Sequence, residues 1–109
     1  MGDGVPHALF DALERAEPLL LAALGPVGVI HIEYVVGFVH PYAVWVWLGT
    51  AIDAERDAMP DTMPYLDEVL AALDAAVLPR AVVGEIGTTA QSQETVDRDY
   101  QGSWFYALR

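Results

Sequence analysis

A chain of 109 residues has room for one domain and not for two, and 54% of hydrophobic residues is enough for a real core. Sixteen acids against five bases give a formal net charge of −11, which disfavours both nucleic acid and anionic membrane surfaces: phosphates repel it, and no basic stripe exists to release counterions. The lack of cysteine excludes disulfides, thiolate catalysis and cysteine-based metal sites.

In chain order, residues 6–24 read as a helix. Pro6 suits a first helical position and Asp3 a cap before it. Phe10, Leu13, Leu20 and Leu24 fall near one stripe. Pro18 removes a donor and clashes with the preceding turn, so a kink or restart is expected there. Gly25-Pro26 ends the element. "VGVIHIEYVVGF" follows, rich in β-branched and aromatic residues, and reads as a strand. Ile30, Ile32, Tyr34, Val36 and Phe38 should share one face, and Val29, His31, Glu33 and Val35 the other. "VHPY" makes a short connection, with the isomer of His40-Pro41 left open. The next strand, "YAVWVWLGT", should therefore pair antiparallel with the first.

Residues 50–77 turn helical. Thr50 and Asp53 resemble a capping box, and Pro60 and Pro64 divide the run into "AIDAERDAM" and "PYLDEVLAALDAAV". The second should bury Leu66, Leu70, Leu73 and Val77, with Val69 beside them. "RAVVGEIG" is a third, short strand. "TTAQSQETVDRDYQGS" is the most polar run, with one or two helical turns from Ser92 or Gln93 to Tyr100 and Gly102 as the stop. "WFYAL" reads as a fourth strand.

The expected order is α-β-β-α-β-(α)-β in a single domain, 1–109. Its class is α+β, with an antiparallel sheet of about four strands and helices packed on one face. This is similar in architecture to a ferredoxin-like sandwich that lacks its first strand and gains one at the back, a likeness that carries no function. The N-terminal stretch has no basic leader followed by an apolar core, and no uncharged apolar run reaches the roughly 18 residues of a membrane helix. A cytoplasmic location is expected.

The two strand faces pose the functional question. If Val44, Val46 and Leu48 meet the helices, the opposite face receives Trp45, Trp47, His31, Glu33 and Val35. The last strand adds either Trp104 and Tyr106 or Phe105 and Ala107. Each aromatic carries roughly 150–250 Å² of surface, so two or three left bare exceed what monomers usually tolerate. The first helix or the polar run could cover this face, a homodimer could stack two open faces, or another protein could dock there.

Chemistry has few volunteers. His31 and Glu33 share a strand face about 6.5–7 Å apart, an acid–base or metal pair in need of a third group such as His40 or Glu85. The ordinary alternative is a half-buried histidine satisfied by a carboxylate. No zinc signature, nucleophile elbow or phosphate loop is present, so neither metal nor cofactor is expected. Gln93, Glu94, Asp97, Arg98, Asp99 and Tyr100 form a dense polar run of the kind that contacts a partner, or else simple local ion pairs. Asp53, Glu55, Asp57, Asp61, Asp67, Glu68 and Asp74 give the middle helices an anionic skin. The expectation is a non-enzymatic acidic protein of the immunity or inhibitor kind that docks on a basic protein. Trp45, Trp47, Trp104 and Tyr106 would be its anchors, with Asp57, Asp61, Asp97, Arg98, Asp99 and Tyr100 as polar contacts. The alternative is a small dimeric enzyme or ligand-binding protein of ferredoxin-like type using His31 and Glu33.

Overall fold

A computed structural model describes residues 6–108; Asp3, proposed above as a cap, and Arg109 lie outside them. The described residues form an α+β chain: α1 (His7–Leu24), β1 (Val29–Val36), β2 (Tyr42–Thr50), α2 (Asp53–Asp57), α3 (Leu66–Ala75), β3 (Val83–Ser92), α4 (Gln93–Tyr100) and α5 (Trp104–Ala107). The sheet has three strands in the order β1-β2-β3. β1 runs antiparallel to β2, with Glu33 opposite Trp47 and Val35 opposite Trp45. β3 runs parallel to β2, with Gly87 opposite Trp45 and Ser92 opposite Thr50.

Two expectations about the sheet are corrected. The stretch "WFYAL" is a short helix and not a fourth strand, because the Ser103 hydroxyl accepts from the Tyr106 amide and caps a turn. The sheet is mixed and not antiparallel. Residues 51–82 carry two helices, enough for the crossover that a parallel neighbour requires. The ferredoxin-like order is therefore not found. β3 is also longer than "RAVVGEIG" and absorbs the polar residues up to Ser92.

The inner face of the sheet holds the core. Val44, Val46 and Leu48 are fully buried, as their alternation predicts, against Leu9, Leu20 and Leu24 of α1 and Val69 and Leu73 of α3. α1 is one helix through Pro18, which sits on its exposed side, where the carbonyl it orphans can meet water. Its stripe is turned from the expected one: Leu9, Ala12 and Ala16 are buried, and Phe10 is 46% exposed. A register irregularity between Val29 and His31 likewise turns Ile30 outward, and Phe38 falls beyond the strand. In α3 the buried set is Val69, Ala72 and Leu73, with Ala76 just beyond. The His40–Pro41 peptide bond is cis.

Val77, expected in the α3 stripe, is 75% exposed because it terminates the helix. Its φ is +62°, the Leu78 amide donates to the Leu73 carbonyl at 3.1 Å, and its own amide donates to the Asp74 carbonyl at 3.0 Å. This is a Schellman ending with a β-branched residue where glycine is usual. Left-handed backbone costs an L-residue roughly 1–2 kcal/mol. Val77→Gly should therefore raise stability by about 1 kcal/mol, read as a rise in melting temperature of roughly 5 °C. An unchanged or lower melting temperature would show the valine to be unstrained.

Candidate functional site

The outer face of the sheet is built by alternation. His31, Glu33 and Val35 of β1, Trp45, Trp47 and Gly49 of β2, and Gly87, Thr89 and Gln91 of β3 lie there opposite the core residues. α5 crosses this face. The three indoles are half-buried, neither enclosed nor bare. Two of them lie over glycines. A Cβ on Gly87 would sit 2.5 Å from Trp45 ring atoms, and one on Gly49 would sit 3.1 Å from the Trp104 ring. Trp104 also stacks on His31, with ring centroids 4.7 Å apart, and donates its indole N–H to Gln93 Oε1 at 2.8 Å. The chain thus covers part of its own aromatic face with its own C-terminal helix.

His31 Nε2 donates to Glu33 Oε1 at 2.9 Å. Both side chains are more than a third exposed, on the rim of a groove of about 630 Å³ between α1 and β1. Phe10, Glu14, Glu17, Tyr34 and Phe38 also line it, and no arginine does. Phe38 is 90% exposed. The Tyr34 hydroxyl donates to the Leu13 carbonyl at 2.9 Å, and burial, followed by the Glu17 charge, pushes its phenol above the ordinary range. On the other side of β1, Val35, Val36, Phe105 and Leu108 line a second depression with Glu33. β1 is an edge strand, so its outer backbone edge runs between two partly apolar grooves.

The polar residues singled out in the sequence do not gather in one patch. Asp57 and Asp61 line a depression of about 400 Å³ beside Thr89 and Ala90 of β3. Asp99, Tyr100 and Tyr106 line another, of about 340 Å³. Asp97 accepts from Gln93 Nε2 at 2.8 Å. Arg98 pairs with both Asp53 and Asp99, although its side chain is 56% exposed. Tyr106, expected on a strand beside Trp104, sits on α5 and is exposed.

Sequence reasoning missed one cluster altogether. Asp53 Oδ1 accepts from the Ser92 hydroxyl and from Thr95 Oγ1 at 2.6 Å, while Arg98 Nη1 lies 3.2 Å from Oδ2 and Arg56 Nη1 3.4 Å from Oδ1. The Ser92 and Thr95 hydroxyls, then the two arginines, hold its carboxyl well below the usual carboxylate range. The hydrogen bond to Asp53, with that to Asp99, raises Arg98 in turn. Glu94 completes the joint: the Asp53 amide donates to its Oε1 at 2.8 Å, and its own amide donates to the Ala51 carbonyl at 3.1 Å. The expected Thr50–Asp53 capping box is corrected here, because the Thr50 hydroxyl donates to the Ile52 carbonyl and Asp53 reaches across to α4. The cluster clamps the start of α2 to the start of α4. The one legible signal was a helix start at Ser92 or Gln93, and the Ser92 hydroxyl caps that helix by accepting from the Thr95 amide at 3.1 Å.

Among the described residues no three His, Asp or Glu side chains converge as a metal site, and no helix is long and apolar enough to cross a membrane. Every buried side-chain nitrogen and oxygen among them has a hydrogen-bond partner. Comparison with protein-family models, curated proteins and solved structures gives no match.

Proposed function

We propose that the chain is a non-enzymatic acidic binding protein that docks on a basic protein, in the manner of an immunity or inhibitor protein. What supports this most is how its arginines are engaged. Arg15 donates twice to the Ala76 carbonyl, at 3.1 and 2.7 Å, closing the end of α3. Arg56 serves Asp57, Gln91 and Thr95. Arg80 pairs with Asp74, and Arg98 with Asp53 and Asp99. Each described arginine is thus bonded within its own chain, although Arg80 and Arg98 are more than half exposed. Glu14, Glu17 and Glu33 border a groove that no arginine lines. The half-buried tryptophans and the exposed rings of Phe38 and Tyr106 would supply apolar contact area.

Binding of this kind is steered by long-range attraction, which salt screens. A basic protein retained from native lysate by the immobilised chain should associate at least tenfold more slowly at about 0.3 M than at about 0.02 M ionic strength. A rate independent of salt, or capture of acidic proteins only, would refute charge-steered docking.

A second reading rests on the 2.9 Å bond between His31 and Glu33 at the groove rim. A small dimeric enzyme or ligand-binding protein would use that pair as acid and base. The open groove and the mutual satisfaction of the two groups favour the binding protein.

A further inference from the structure

We infer that the free edge of β1 is the docking site, and that its occupant is an extended basic segment of the partner, added as a fourth strand. This rests on the basic-partner proposal and says where and how that partner is held.

Three features coincide on β1. First, among the described residues β2 pairs with one side of β1 and no strand lies on the other. An edge strand presents a row of backbone donors and acceptors ready for another chain. Second, both flanks of that edge are hollow. The groove with Phe10 and Phe38 lies on the helix side, and the depression with Val35 and Leu108 on the open side. Side chains of an added strand alternate between the two faces, so successive residues would enter the two hollows in turn. Third, the charged groups along this seam are acids: Glu14 and Glu17 on one flank and Glu33 on the rim of both, with no arginine among the lining residues. His31, which faces the same groove, is bonded to Glu33.

The charges decide between occupants. A second copy paired β1 to β1 would bring two such acidic seams together, each on a chain of net charge −11. Like charges placed opposite one another oppose that pairing. A segment that alternates apolar residues with arginine or lysine can set its basic residues toward Glu14 and Glu17, its apolar residues over Val35 and Leu108, and its backbone on the edge. Past the irregularity at Ile30, the regular run 31–36 offers about 20 Å of edge, enough for some six residues.

The test uses three synthetic ten-residue peptides with blocked ends: alternating valine and arginine; the same peptide N-methylated at its four central residues; and alternating valine and glutamate. Calorimetry measures affinity, and amide chemical shifts in the labelled protein locate binding. The valine–arginine peptide should bind and shift the amides of 31–36. N-methylation should weaken it at least tenfold, since it removes ladder hydrogen bonds without removing charge, and the valine–glutamate peptide should not bind. Glu14→Lys/Glu17→Lys, both on the exposed side of α1, should also weaken binding about tenfold with the fold intact by circular dichroism. Equal affinity of the N-methylated peptide, or shifts confined to α2–α4, would overturn the edge site while leaving the basic-partner proposal to its own salt test. Absence of binding by any peptide, or sedimentation as a dimer that Glu33→Arg abolishes, would overturn the edge site as well.

Discussion

Gly87→Ala is expected to destabilise the protein by about 2 kcal/mol and to dislodge Trp45 from the sheet. A Cβ at this position would stand 2.5 Å from Cη2 and Cζ3 of the indole and 2.7 Å from Cε3, so the ring lies flat on the glycine backbone. Overpacking a filled site costs roughly 1–3 kcal/mol. Here Gly87 is fixed in the β2–β3 ladder, so the indole must give way. Denaturant titration would measure the loss, and a red shift of Trp45 emission in the folded state, in a Trp47→Phe/Trp104→Phe background, would show where the ring went. The double variant Gly87→Ala/Trp45→Ala should cost less than the sum of the two single changes, because the clash disappears with the ring. Strict additivity would mean that the two residues do not touch.

Leu48→Ala should cost more, about 3 kcal/mol, and lower the melting temperature by roughly 10–15 °C. Leu48 is fully buried on the central strand, between Ile32 and Ala90, inside the cluster shared with α1 and α3. Removing three carbons there leaves a void that neighbours from three elements would have to move together to fill. Against the 5–15 kcal/mol typical of a small domain, such a loss is a large fraction of the total. Leu48→Met, which keeps the volume, should cost under about 1.5 kcal/mol. If alanine and methionine were equivalent, the inner face would not be packed as described.

The elements legible in the sequence were those whose local pattern and tertiary role agree. Alternation in Tyr42–Thr50 placed Val44, Val46 and Leu48 inward and both tryptophans outward. Proline and glycine punctuation gave the ends of α1 and α4, and the start of α4 was placed at Ser92 or Gln93. The failures came where distant groups decide. Residues 88–92 read as a polar loop because their hydroxyls are satisfied only in the folded chain: Thr88 Oγ1 donates to the Pro64 carbonyl at 2.8 Å, and the Ser92 hydroxyl donates to Asp53. Residues 104–107 read as a strand from their aromatic content, yet Trp104 is seated by Gly49, His31 and Gln93, none of them near in sequence. Phe10 lines the groove between α1 and β1 because the buried stripe of α1 is set by α3, and Ile30 is exposed because the register breaks between Val29 and His31. Period alone reveals neither.

The parallel pairing of β3 also governs how the molecule is assembled. β1 and β2 meet across the five residues 37–41, a local closure of the kind that hairpins complete in microseconds. β3 can join only after residues 51–82 have been carried back along the sheet, a long-range closure whose entropy cost comes before its contacts form. The last ladder to zip should therefore set the folding rate, and a nascent chain would expose the β2 edge, with its paired indoles, until β3 arrives.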